Sequence, residues 1–172
     1  GADGVQGHTM TLWKLLKSYQ VPVFIFVNKM DQPGTDKEKT LAELQKKLDV
    51  NCIDYNGQDK DCLYDTAAMC SETLMEEYLN TGKISDEAMN EAIGHRQIFP
   101  CLFGSALKME GVKELLAFMD AHMQRREYPE EFGARVFKIV RDEQDNRLTY
   151  MKITGGSLKV KAMLTDYHEG ME

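Results

Sequence analysis

Val23-Phe24-Ile25-Phe26-Val27 runs without a charged or amide side chain and opens directly into Asn28-Lys29-Met30-Asp31. A continuous β-branched and aromatic run predicts a parallel strand covered on both faces, since a half-exposed strand would alternate. Asp31-Gln32-Pro33-Gly34 is turn-forming, so the four polar-flanked residues Asn28–Asp31 stand at the strand's C-terminal end. That edge is where open α/β sheets hold ligands.

Upstream, Leu12, Leu16 and Tyr19, with Trp13 and Leu15 beside them, recur at helical spacing and predict an amphipathic helix from about Val5 to Tyr19. Downstream, Thr35-Asp36-Lys37-Glu38 has the form of a capping box, and Leu41, Leu44 and Leu48 stripe the helix that follows. Residues 49–70 show no period, only polar turns around Asn56-Gly57 and scattered apolar pairs. Leu74, Met75, Tyr78 and Leu79 predict a helix that stops at Thr81-Gly82, and Ser85 caps a short successor carrying Met89, Ala92 and Ile93. Ile98 to Phe103 reads as a second buried strand, interrupted by Pro100. Val112, Leu115, Leu116, Met119 and Met123 stripe a last helix. After Arg125-Arg126-Glu127-Tyr128-Pro129 the pattern changes class. Ala134–Arg141, Arg147–Thr154 and Leu158–Leu164 read as antiparallel strands, with Gly155-Gly156 at a bend. The expected organisation is an α/β domain over residues 1–127 and a β domain over 128–172, whose forty-odd residues are too few to close a barrel.

Composition limits the partners. The 172 residues are 42% apolar and carry a net charge of −7. Residues 1–132 hold 14 basic against 22 acidic side chains, a net of −8, which argues against binding duplex nucleic acid through a broad basic face. Docking on a ribonucleoprotein through another surface stays open. No apolar run approaches the roughly 20 residues that span a bilayer, and no signal peptide opens the chain, so it reads as soluble and cytoplasmic. Cys52, Cys62, Cys70 and Cys101 form no C-x-x-C pair and read as buried free thiols. The eleven Met residues read as core filling on helical stripes. Asp59-Lys60-Asp61 and Glu76-Glu77 read as solvated faces, and Arg125-Arg126 as an exposed linker.

The residues at the two strand exits point to guanine. A carboxylate at Asp31 can accept two parallel hydrogen bonds, from the ring N–H and the exocyclic amine of the base. Adenine has no such donor pair and would leave the carboxylate unpaired. The Lys29 stem can lie along the base face, and the Asn28 amide can bridge neighbouring loops. Gly104-Ser105-Ala106-Leu107 follows the second strand, where the N–H groups of Ser105 and Ala106 can reach the guanine carbonyl oxygen. A polar strand exit with Asp31 as a helix cap is the plainer alternative for the first motif, and an ordinary turn for the second.

Asn28-Lys29-Met30-Asp31 and Ser105-Ala106-Leu107 resemble the fourth and fifth guanine-binding motifs of the translation-factor GTPases. Asp3-Gly4-Val5-Gln6 followed by Thr9 resembles the helix start after the second switch of elongation factor G and its relatives. Residues 133–166 resemble the start of their second, β-barrel domain. Within that superfamily the chain is most similar to the tetracycline-resistance ribosomal protection proteins: Gln32 follows Asp31 where elongation factor G usually has Arg, and the stretch from Asp31 to Ser105 is shorter. Gly7-His8 stands where the family tends to have Ala-Gln, and Leu107 where many GTPases have Lys. The resemblance implies the C-terminal half of a P-loop GTPase domain followed by an incomplete antiparallel β-barrel. It implies GTP or GDP as ligand, Mg²⁺ in the whole protein, the ribosome as partner, and Asn28, Lys29, Asp31, Ser105, Ala106 and Leu107 as the base-binding residues.

No G-x-x-x-x-G-K-[ST] phosphate loop occurs in the 172 residues. No switch threonine or D-x-x-G stands ahead of the first helix, so ligands for Mg²⁺ and the attacking water are not expected here. His8, His95, His122 and His168 therefore inherit no catalytic role and read as surface or partly packed. The chain reads as a middle piece of a larger GTPase that keeps base selection and lacks the chemistry. Three functions follow as expectations: a ribosomal protection factor, elongation factor G or a paralogue promoting translocation, and a non-catalytic interaction module on a GTPase-like scaffold. Strand edges left unpaired predict a homo-oligomer of this piece.

Overall fold

The computed structural model describes residues 1–57, 59–123 and 127–163, and these fall into two compact units, divided between Met123 and Glu127. In the first unit a parallel sheet is built from β1 (Ile25–Val27), β2 (Cys52–Asp54) and β3 (Phe99–Phe103), in the order β1-β3-β2. Six helices flank it: α1 (Gly7–Ser18), α2 (Lys37–Lys47), α3 (Lys60–Ala68), α4 (Glu72–Thr81), α5 (Asp86–Gly94) and α6 (Val112–His122).

Alternation along β3 makes two cores. Phe99, Cys101 and Phe103 pack with Val5, Trp13, Val27, Leu44 and Cys52 beneath α1 and α2. Ile98 and Leu102 turn the other way, into Ile53, Leu63, Leu74, Ile93 and Phe118 of the α3–α6 layer. All five residues of β3 are buried, as its continuous apolar run requires.

Pro100 lies inside this central strand. Phe99 donates its N–H to the Asn51 carbonyl (3.0 Å) and Cys101 accepts from Tyr55 (2.9 Å), so odd positions bond toward β2. Gly104 donates to the Val27 carbonyl (3.0 Å), so even positions bond toward β1. Pro100 thus turns its missing N–H toward β1, where Val23 would have paired, and β1 starts only at Ile25.

Several expectations are corrected. Residues 49–70 hold β2 and all of α3. Asp36, not Thr35, caps α2: its carboxylate accepts from the Lys39 N–H (3.0 Å), while the Thr35 hydroxyl donates to the Met30 and Gln32 carbonyls (2.8 Å each). The buried residue of α1 is Trp13, edge-on to Phe99 at 4.7 Å, whereas Leu12, Leu15 and Tyr19 are exposed. On α6 the inward stripe is Leu115, Phe118 and His122, and Leu116 and Met123 face outward. Met89 is the one fully buried methionine among the described residues, because short helices bury one narrow stripe and Met69, Met109 and Met123 sit at ends and turns. Cys52 and Cys101 are buried free thiols, but Cys62 is exposed. His122 is buried, deeper than a surface or partly packed histidine; His8 and His95 are exposed. Arg125-Arg126 and His168 lie outside the described residues.

Two helix ends follow their sequence signals. Gly82 closes α4 in the left-handed region (φ 70°), and the Ser85 hydroxyl caps α5 by accepting from Ala88 (3.3 Å).

The second unit is an antiparallel ribbon of β4 (Gly133–Arg141) and β5 (Arg147–Gly155), with a register shift between Val136 and Lys138. Gly156 makes the bend after it, with φ 55°. The expected third strand over Leu158–Leu164 is not formed in its described part. Lys161 takes a left-handed conformation (φ 63°) and Ala162 donates to the Lys159 carbonyl (3.1 Å), a local turn that breaks the extended backbone a ladder needs.

Candidate nucleotide site

Because β1 and β3 are adjacent and parallel, their exits emerge side by side at one sheet edge. The ladder continues past both strands: Gly104 donates to Val27 and Met30 donates to the Gly104 carbonyl, each at 3.0 Å. Gly104 has no room for a side chain, since a Cβ there would collide with the Glu110 carbonyl oxygen. Asn28 joins the two exits directly. Its Oδ1 accepts from the Lys29 N–H (2.7 Å) and, across 78 residues of chain, from the Ala106 N–H (2.9 Å). Lys29 sits at φ 64°, a costly conformation for a lysine, which aims the following turn back along the sheet.

Asp31 is half-buried on that turn, and its Oδ2 lies 3.7 Å from Lys108 Nζ. The Ser105 hydroxyl beside it, with Lys108 adding to the effect, holds its carboxyl below the usual carboxylate range. Ser105 is itself buried, 1% exposed, and its Oγ accepts from the Lys108 N–H (3.4 Å). A carboxylate kept ionised beside an exposed Lys29 and an exposed Leu107 offers acceptors for a pair of N–H donors and apolar cover for a flat ring.

The sequence reading assigns two outward N–H groups, and the structure revises that detail. Ser105 donates its N–H to the Glu110 carbonyl, and its own carbonyl accepts the reverse bond, both 3.0 Å, so it belongs to a closed turn. The Ala106 N–H is held by Asn28. An incoming carbonyl oxygen reaches Ala106 only by displacing that side chain. The six expected base-binding residues otherwise lie together on the two loops. Lys108, which the sequence motifs do not include, joins them; its signal is its place three residues after Ser105.

The residues suit the base of a guanine nucleotide. For a divalent cation the described residues supply no group of three or more His, Cys, Asp or Glu side chains. A concavity of about 540 Å³ lies elsewhere, lined by Met69, Cys70, Glu72, Met75, Glu76 and Leu79. It has volume without a converging set of donors and acceptors, so the chemistry favours the strand exits.

The chain has relatives among known proteins. The chain is 26% identical to the mitochondrial ribosome-releasing factor 2 of Drosophila ananassae, over 92% of this chain and 30% of that protein. It is 27% identical to the tetracycline resistance protein TetO of Streptococcus mutans, over 94% of this chain and 28% of that protein. The chain thus spans under a third of the length of these relatives. Aligning it takes 220 positions with the first and 179 with the second. A crystal structure from Thermus thermophilus shares the fold, with a TM-score of 0.70 at 20% identity, over 91% of this chain and 31% of the other. Residues 1–125, which carry both strand exits, match the model of the elongation factor Tu GTP binding domain, and the chain belongs to that family.

Proposed function

We propose that this chain is the guanine-recognising part of a GTPase that works on the ribosome, of the ribosomal protection type. The observation that carries it is the joining of Asn28 to Ala106 and of Asp31 to Ser105 across adjacent strand exits, with Asp31 held ionised by Ser105 and Lys108. Asp31 accepts the two N–H groups of guanine, Asn28 ties the loops, Lys29 and Leu107 cover the ring, and Ser105 and Ala106 set the wall. The name TetO among the relatives, and the compact alignment to it, favour protection over a translocation-promoting factor of the elongation factor G type. GTP hydrolysis, the Mg²⁺ that goes with it and the cytoplasmic setting belong to the same proposal and to the whole protein. A guanine nucleotide supplies the phosphates; these residues select its base.

The test is the full-length protein in a tetracycline-sensitive host and in purified form. Ribosome-stimulated GTP hydrolysis with raised tetracycline tolerance is expected. Hydrolysis without tolerance favours the translocation reading, and absence of both favours an interaction module on this scaffold. The described strands β1 and β2 are the sheet's edges, and the ribbon exposes apolar side chains on both faces, which supports self-association of this chain when it is isolated.

A further inference from the structure

We infer that Lys108 is a positioning residue for base recognition, holding the Asp31 carboxylate in the orientation that a guanine edge requires. The inference rests on the base-site reading above and adds a residue to it.

Lys108 acts on Asp31 twice. Its backbone N–H donates to Ser105 Oγ (3.4 Å), which leaves the hydroxyl proton to point at the carboxylate. Its ammonium stands 3.7 Å from Asp31 Oδ2. Both effects depend on one tight turn. Ser105 and Glu110 exchange backbone hydrogen bonds at 3.0 Å, Met109 donates to the Ala106 carbonyl (3.2 Å), and Met109 sits at φ 58°. This frame presents Lys108 toward the neighbouring loop. The groups acting on Asp31 are the Ser105 hydroxyl, Lys108 and the backbone N–H of Asp31 itself. With the ammonium on Oδ2 from one side, the remaining lone pairs of the carboxylate face the open edge, where a donor pair can approach. The ammonium is about half exposed, so its effect is modest and sensitive to salt.

The experiment titrates 5′-GMP into the isotopically labelled chain and follows the Leu107 amide, with the Asp31 carboxyl carbon read in parallel against pH. Lys108→Met is expected to weaken GMP binding by about two- to fivefold. It should also raise the pH at which Asp31 protonates and carry the acid limit of GMP binding upward with it, and Lys108→Arg should restore both. GMP binding and acid limit unchanged in Lys108→Met overturns the inference while leaving the base site standing. Tighter binding in Lys108→Met also overturns it, because the ammonium would then be competing with the base. Loss of all GMP response in the unmodified chain, with Asp31 still titrating low, overturns the base-site reading and the inference with it.

Discussion

At the scale of single residues, buried polar groups of the first unit meet partners in most places, Asp54 Oδ1 being a buried oxygen that meets none among the described residues. His122 shows the partnered case most clearly. Its Nδ1 meets Asn90 Oδ1 at 2.5 Å and its Nε2 meets the Tyr55 hydroxyl at 2.9 Å, with the Phe118 ring 4.4 Å away. A proton on Nδ1 satisfies Asn90 and leaves Nε2 to accept from Tyr55. Burial holds the imidazole pKa below its ordinary value and pushes the Tyr55 hydroxyl up to about 12. The folded protein therefore binds this proton less readily than the unfolded chain. Stability is full above the ordinary histidine pKa, falls as pH drops through it, and levels off below the folded value. Urea denaturation at pH 7.5 and 5.5 checks this: the midpoint should fall at the lower pH, and His122→Gln should remove most of that difference. Asn28, Asp31 and Ser105 could be singled out in sequence by their place directly after two continuous apolar runs, although a helix cap and an ordinary turn use the same residue types. The Asn90–His122–Tyr55 chain could not be, since its members come from α5, α6 and the residue after β2 with no spacing to betray them.

At the scale of elements, strand β3 organises the first unit, and what lies on its two sides sets the cost of change. Phe118 on α6 packs edge-on to Phe24 (5.3 Å) and Tyr55 (4.2 Å) and is 4% exposed. Phe118→Ala should cost about 3–5 kcal/mol by chemical denaturation, the range for emptying a large aromatic site. Ser85→Ala, which removes the cap of α5, should cost about 1 kcal/mol. The long continuous strand runs and the Leu41-Leu44-Leu48 stripe could be read from sequence because burial on both faces, or on one helical face, imposes a period. Strand β2 could not. Its three residues, Cys52, Ile53 and Asp54, are all buried, yet three residues are too short a window for any period. Asp54 is also an ion-pair partner, 2.7 Å from Lys37 Nζ, which reads in sequence as a turn residue. On α1 and α6 the apolar residues outnumber the positions that face inward, so composition alone could not say which of them pack.

At the scale of the whole molecule, the proposed reading gives this chain base selection, while its 172 residues contain no G-x-x-x-x-G-K-[ST] loop to hold phosphates. Isothermal calorimetry of the chain alone should show GTP binding weaker than about 1 mM, and no hydrolysis should accompany it. Light scattering should find self-association, reduced when a charge replaces Phe137 or Ile139 on the ribbon, where both side chains are exposed. The central claim is that Asp31 reads guanine. Its most direct test is a titration of the chain with GMP and with xanthosine monophosphate, following the Leu107 and Ala106 amides by NMR. The unmodified chain should respond to GMP alone. Asp31→Asn should lose roughly ten- to a hundredfold in GMP affinity and gain a response to the xanthine nucleotide, whose carbonyl the new amide can donate to. An Asp31→Asn chain that keeps its affinity for GMP would contradict the account.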